Sequence, residues 1–216
     1  MIYVLVIGIG DIKKAVDSAM KQLARKIVLV SEDSLTDRKY AARNIWESLN
    51  QTFKGGDDDD VIALLDGDDE LKGVHALDPI MAAYRNPDTW LTYGSYEYMS
   101  NGQRGSFNGP YMRPNVRQRR WHATHLKTFR WGLWKHLPES ALKGPDGNWL
   151  QVCSDTAIMF PLIEMAGLQR TRYIKQVIYR YNDENPLNDH KVRGAEQLSV
   201  DKWIRSQTPF KQLRDM

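Results

Sequence analysis

The sequence predicts an α/β fold built on a mostly parallel sheet with helices on its faces. Three observations carry this. Val61 to Leu65 is an unbroken apolar run that ends in Asp66-Gly67-Asp68-Asp69, the pattern of a strand buried on both faces and closed by a turn. Two further apolar runs, Ile2 to Ile9 and Ile27 to Val30, come before it. A segment of helical spacing separates each run from the next. Strand, helix, strand, helix, strand in this order argues for parallel strands joined by right-handed crossovers.

Composition narrows the class. The chain has 216 residues, 42% hydrophobic and 26% charged, ordinary values for a globular domain. One domain, 1–216, is expected at this length. The single cysteine, Cys153, excludes an internal disulfide framework and fits a reducing compartment. No apolar segment reaches the ~20 residues needed to span a bilayer. The first residues lack a basic leader and a cleavage signature, so they read as a strand rather than a signal peptide. A cytoplasmic protein with no membrane span is expected; the oligomeric state stays open. The net charge of +3 does not imply nucleic acid by itself. Its distribution is more telling, since acids crowd Asp57 to Glu70 and bases crowd Arg113 to Arg130.

The elements follow in order. Ile2 to Ile9 reads as a first strand ending in Gly8-Ile9-Gly10-Asp11, which lacks the third glycine of a dinucleotide fingerprint. Asp11 to Leu23 puts Ile12, Ala15, Val16, Ala19 and Leu23 on one helical face. Ile27 to Val30 is a second strand, followed by Ser31-Glu32-Asp33-Ser34. Asp37 to Phe53 reads as a helix with Ala41, Ala42, Ile45, Trp46 and Leu49 inward. Gly55-Gly56 and Asp57 to Asp60 break it. The four aspartates read as a solvated turn, because adjacent carboxylates cannot converge on one ion. His75 to Tyr84 is expected as a short helix and Trp90 to Met99 as an aromatic strand. Ser100 to Asn115 is a long polar connection, a lid or binding loop by its length. His125 to Lys135 is expected to be helical. Asp155 to Ala166 is a helix stopped by Gly167, with Pro161 restricting it. Tyr173 to Tyr181 is a late strand, and the tail from Gly194 packs outside as a helix.

The chemistry concentrates in Asp66-Gly67-Asp68. Two aspartates one residue apart can point to the same side of an extended segment. Past the C-terminal end of a buried strand they stand where open α/β sheets bind ligands. Such a pair suits Mg²⁺ or Mn²⁺, hard cations that also accept phosphate oxygens. An acidic turn with no metal has the same sequence.

Five segments coincide in order and spacing: V-L-V-S-E-D-S-L-T-D (28–37), A-R-N-I-W (42–46), L-L-D-G-D-D (64–69), C-S-D-T-A (153–157) and N-P-L-N-D-H-K (185–191). On these the chain resembles the family 2 glycosyltransferases, which have the GT-A fold, a Rossmann-like sheet with flanking helices. H-L-K-T-F-R (125–130) and S-D-T-A-I-M-F-P-L-I-E-M-A-G (154–167) look like a subgroup found in phages and large DNA viruses. The turn at Gly8-Ile9-Gly10-Asp11 departs from the Pro-Thr-Tyr-Asn-like turn usual in such enzymes.

The resemblance implies a nucleoside-diphosphate-sugar donor, a UDP-sugar in the first place, held through Mn²⁺ or Mg²⁺. It assigns Asp68 as the main metal ligand with Asp66 beside it, and His190 as a third ligand. Asp33 or Glu32 would meet the nucleobase or ribose, and Arg43 a phosphate. Asp155 would be the base of an inverting transfer; helix capping is its bland alternative. Arg117, Arg119, Arg120, Trp121 and His125 would bind the acceptor, and a hydroxymethylated base in phage DNA fits bases interleaved with aromatic rings. The same rings could simply fill a core. Residues 1–70 would be the nucleotide half, 71–193 the acceptor half and 194–216 a helical tail. A glycan- or protein-directed transferase, a nucleotidyltransferase and a nucleotide- or nucleic-acid-binding module without chemistry are the rivals.

Overall fold

Alternate residues of the central strands face two separate cores. The computed structural model describes residues 1–24, 26–34, 36–53, 56–105 and 109–216, with Glu32 by its backbone alone. The chain runs β1 (Ile2–Ile9), α1 (Lys13–Met20), β2 (Lys26–Asp33), α2 (Tyr40–Glu47), β3 (Val61–Asp66), β4 (Glu70–Leu71) and α3 (Asp78–Tyr84). It continues through β5 (Leu91–Tyr98), β6 (Lys127–Arg130), α4 (Trp131–Trp134), α5 (Ser154–Ala166), β7 (Thr171–Tyr181), α6 (Asp189–Val192) and α7 (Gly194–Ser206). Val4 and Val6 of β1 join Ala63 and Leu65 of β3 on one face, packed with α1 and α3. Leu5, Ile62 and Leu64 face the other way, toward α2, α4 and α5. Both faces being covered explains why these strands are apolar without alternation.

The sheet order is β2-β1-β3-β6-β5-β7-β4. β1 pairs in parallel with β2 and β3, and β5 with β7. β6 runs antiparallel between β3 and β5, and β4 antiparallel to β7. Strands β1, β2, β3, β5 and β7 therefore point one way, and the mostly parallel sheet expected from the sequence is the one found. Their C-terminal ends make one edge, where Ile9 stands opposite Asp33 and Ile7 opposite Asp66. β6 enters from that edge, with Lys127 opposite Leu64. It thus delivers His125 and Lys127 to the same place as Asp66.

Two glycines let this edge close. A Cβ on Gly67 would stand 2.7 Å from the Gly8 Cα, and one on Gly8 would stand 2.8 Å from the Gly67 Cα. The Gly67 N–H donates to the Ile7 carbonyl at 2.7 Å. The close approach that Gly67 permits is therefore between the two turns.

The segment 125–135 departs from its expected helix. Lys127 to Arg130 is a strand buried along its whole length, and only Trp131 to Trp134 is helical. Lys127 and Arg130, spaced as on a helix face, instead bury their charges on partners inside the fold. Arg130 donates to the Thr89 carbonyl at 2.7 Å and to Asp59 at 2.8 Å. The aspartate run is likewise more than a solvated turn. Asp60 accepts from the N-terminal amine at 2.7 Å, and Asp58 pairs with Lys135. The described parts of 100–115 touch the sheet on both sides of 106–108: Arg104 bridges to Glu97, and the Tyr111 N–H donates to the Tyr93 hydroxyl at 2.7 Å.

Candidate functional site

The floor of the cleft is the turn after β3. Asp66 closes the strand, and its backbone N–H donates to the Tyr179 hydroxyl at 3.3 Å. That hydroxyl donates in turn to Asp69 at 2.6 Å, and Asp69 also accepts from the Asn182 N–H at 2.7 Å. Asp69 is fully buried, and both its oxygens are engaged. It clamps the turn onto β7 and leaves Asp66 and Asp68 to face outward. Asp68 accepts from the Asn185 amide at 2.6 Å, which draws the 182–188 loop over the floor.

Around Asp66 stand His125, Lys127 and Asp155. The His125 Nδ1 lies 3.5 Å from the Asp66 carboxylate, and the Lys127 Nζ lies 4.0 Å from it. Lys127 is 1% exposed and its ammonium is hydrogen-bonded to Asp155. Asp155 opens α5, whose remaining residues are almost all buried. His125 stacks on the Tyr179 ring at 4.5 Å, and its Nδ1 is buried without a hydrogen-bond partner.

The electrostatics follow from this crowding. Burial pushes Asp66 up to about 7; Asp155, Asp68 and Asp189 add to the rise and the Lys127 cation opposes it. Its side chain is 38% exposed, and the residues set against it, Asp69, His125 and Lys127, are buried. Burial, then the neighbouring Asp66 and Asp68, hold Asp69 well above the ordinary carboxylate range. Burial also works against charge on Asp155 and on Lys127, but in each case the partner's opposite charge outweighs it. Asp155 is held below its ordinary value and Lys127 above. Burial and then the Lys127 cation lower His125 to about 3, so its imidazole is neutral.

The residues expected from sequence fall into three groups. Asp66, Asp68 and Asp155 come together at the cleft with His125, which lies in the floor behind Asp66 rather than on an acceptor surface. Asp33 ends β2 and Arg43 stands on α2, and both are engaged. Asp33 accepts backbone N–H groups of Ser34, Lys39 and Tyr40 at 2.8–2.9 Å, and Arg43 pairs with Glu47 at 2.7 Å. The Glu32 side chain lies outside the described residues; its backbone stands opposite Gly8. The third group lies elsewhere. His190 is exposed on α6. Among the described residues the converging ligand group is Asp66, Asp69 and His125, and it is Asn185 that reaches Asp68. Arg117 is a correction. It is 5% exposed, grips Glu164 at 2.6 and 3.0 Å and donates to the Ile204 carbonyl, so its charge serves the core. Trp121 packs edge-on against Phe160 at 5.3 Å. Arg119 and Arg120 are exposed. The rings of Phe129, Trp131 and Trp134 are core.

The sequence alone gives no site role to Tyr179, Asn185 or Asp189, places Lys127 only among the bases of the 113–130 stretch, and leaves Asp69 between orienting the site and a solvated turn; Asp69 is fully buried. Asp189 is close enough to Asp66 and Asp155 for their charges to interact. Nothing local in the sequence marks Tyr179, because β7 reaches this turn only through the sheet; Asn185 and Asp189 lie in the 185–191 segment that carries the resemblance.

Comparison with solved structures identifies the fold. The chain is similar to glucosyl-3-phosphoglycerate synthase from Mycobacterium tuberculosis, in complex with Mn²⁺, UDP-glucose and phosphoglyceric acid. That match has a TM-score of 0.59 and 13% identity over 96% of this chain and 80% of that one. Mannosyl-3-phosphoglycerate synthase from Rubrobacter xylanophilus aligns with a TM-score of 0.56 and 12% identity over 96% and 76%. The 1–349 fragment of S. aureus TarS in complex with UDP-GlcNAc gives 0.54 and 13% over 94% and 65%. The chain spans 38% of the longer TarS chain. No protein-family model and no curated protein matches the sequence. At these identities the shared feature is the architecture: the chain has the GT-A fold. No helix among the described residues is long and apolar enough to cross a membrane.

Proposed function

We propose that the chain is a metal-dependent, inverting glycosyltransferase that moves a sugar from a UDP-sugar to a hydroxyl acceptor. The observation that carries this reading is the meeting of Asp66, Asp68 and Asp155 at the C-terminal edge of a GT-A sheet. Neighbours of the same fold hold Mn²⁺ with UDP-glucose, or UDP-GlcNAc, which supports the same donor class and metal here.

The residues fit a divalent cation. Asp66 and Asp68 offer carboxylate oxygens, and the His125 Nδ1, 3.5 Å from Asp66 and buried without a hydrogen-bond partner, is a further nitrogen donor for the ion. Bound there, Mn²⁺ or Mg²⁺ would offset charge developing on the diphosphate leaving group. His190 would join as a third ligand if the 185–192 segment closed over Asp68, to which Asn185 already ties it. Glu32, Asp33 and Arg43 frame the nucleotide side, within the 1–70 half; 71–193 forms the acceptor half and 194–216 the tail. The chain's own chemistry lies with Asp155. The acceptor hydroxyl gives its proton to that carboxylate, the hydroxyl oxygen bonds to the anomeric carbon, and the diphosphate leaves from the opposite face with the bonding electron pair.

For the acceptor, the phage-like segments point to a hydroxymethylated base in DNA, modified in the host cytoplasm. Arg119 and Arg120 remain the exposed cations for its phosphates; Arg117 does not.

The test is a panel of nucleotide-sugars with Mn²⁺, scored for free nucleoside diphosphate. UDP release that stops on chelation and in Asp68→Ala is the expected result. Pyrophosphate release would instead make the chain a nucleotidyltransferase, and no turnover a binding module. DNA binding that falls steeply with salt supports the DNA acceptor; salt-insensitive or absent binding redirects it to glycan or protein.

A further inference from the structure

Lys127 reads in the sequence as one base among several in a cationic stretch, yet it is a buried cation set between Asp66 and Asp155. Its side chain is 1% exposed. It stands on β6, opposite Leu64 of β3, where the antiparallel insertion of β6 carries it to the carboxylate edge. Its ammonium bonds the Asp155 Oδ1 and lies 4.0 Å from the Asp66 Oδ2. A lysine is rarely buried to this degree without paired carboxylates, and here the two partners belong to the two halves of the reaction.

We infer that Lys127 is a positioning residue: by anchoring Oδ1 of Asp155 it presents Oδ2 to the acceptor hydroxyl and fixes the base relative to the donor-side Asp66. The inference rests on the reading of Asp155 as the base. The ammonium has three donors and no acceptor, so it bonds a carboxylate oxygen and cannot take the hydroxyl proton itself. With one oxygen held, the proton passes from the acceptor hydroxyl to the other. The fixed position supplies near-attack geometry that a free, rotating carboxylate lacks. Lys127 makes this contact from a rigid strand, while Asp155 stands in the first turn of α5; the ion pair therefore also joins β6 to α5 at the cleft.

The experiment is a double-mutant cycle with Lys127→Met and Asp155→Asn in the full chain, read in two ways. In kcat, Lys127→Met alone lowers the rate about 10²-fold, with donor KM and Mn²⁺ affinity within about threefold of wild type. In the Asp155→Asn background the same change costs less than about threefold, because the residue it positions is already gone. In thermal unfolding, Lys127→Met lowers Tm by about 4 °C or more beyond its effect in the Asp155→Asn background, which reports the pairing whether or not sugar is transferred. Equal kcat losses in both backgrounds, or a loss confined to KM and Mn²⁺ affinity, would overturn the positioning role. Coupling in Tm with no wild-type transfer would instead place the failure in the glycosyltransferase reading, leaving an ion pair without this task. Lys127→Gln, which keeps a donor without the charge, runs the same cycle should the methionine variant not fold.

Discussion

His125 shows how a single side chain at this site responds to its surroundings. Burial and the Lys127 cation hold it at about 3, against an ordinary value of 6.5. In the unfolded chain it regains protons below about 6.5. Between pH 3 and 6.5 the unfolded state therefore binds more protons than the folded one at this residue, and its contribution to stability rises with pH across that window. Under chelation, the urea midpoint of the wild type should fall more from pH 7 to pH 5 than that of His125→Gln. Parallel midpoints for the two proteins would show that His125 is charged in the fold. Residue chemistry was only partly legible in the sequence. Asp66 and Asp68 announce themselves because both ligands sit in one turn. Lys127, Tyr179 and Asp69 do not, since their roles depend on partners up to 113 residues away. The same distance hid the fate of Arg117, which has no local mark separating it from the exposed Arg119.

At the scale of elements, α5 and the C-terminal region are joined by the Arg117–Glu164 pair. Arg117 lies in a 3-10 turn, Val116 to Gln118, Glu164 lies on α5, and Arg117 also donates to the α7 carbonyl of Ile204 at 2.5 Å. Glu164 further accepts the Phe210 N–H at 3.0 Å. Removing one member of a buried pair leaves the other uncompensated, which costs ~3–5 kcal/mol. Arg117→Ala should lose about that much in denaturant unfolding, and Arg117→Met with Glu164→Leu much less. An Arg117→Ala variant of normal stability would return this arginine to the acceptor surface. The elements themselves were largely readable, because β1, β2, β3 and α5 carry unbroken apolar runs whose type does not depend on distant partners. β6 was misread as helix for a definite reason. Its Lys127 and Arg130 recur at helical spacing and are polar, yet both are buried on carboxylates and carbonyls contributed by β3, α3 and α5 or the turns beside them.

At the scale of the whole molecule, the fold places one set of strand ends, one inserted antiparallel strand and one helix start around a single cleft. β3 brings the carboxylates of Asp66 and its turn, β6 the buried Lys127 and α5 the proposed base Asp155, while β7 clamps the turn through Tyr179. The sheet direction was deducible from the strand–helix alternation of the first 66 residues; the insertion of β6 between β3 and β5 was not, since its pairing is set by packing across the molecule. Asp155 pairs with Lys127, while Asp68 is held by Asn185, so the proposed base and the proposed metal ligand can be changed separately. Asp155 stands in the first turn of α5, whose N-cap is Cys153 with no side-chain cap, and its carboxylate bonds Lys127 instead, so the capping alternative does not hold. The measurement that bears most directly on the account is UDP release from a UDP-sugar with Mn²⁺ by Asp155→Asn, alongside calorimetric UDP–Mn²⁺ affinity and Tm. Loss of a general base predicts a fall in kcat of ~10²–10⁴-fold with UDP–Mn²⁺ affinity close to wild type, and a lower Tm because the buried Lys127 ammonium loses its partner. Near-normal turnover by that variant would remove Asp155 from the chemistry and leave it only as the partner of the buried Lys127.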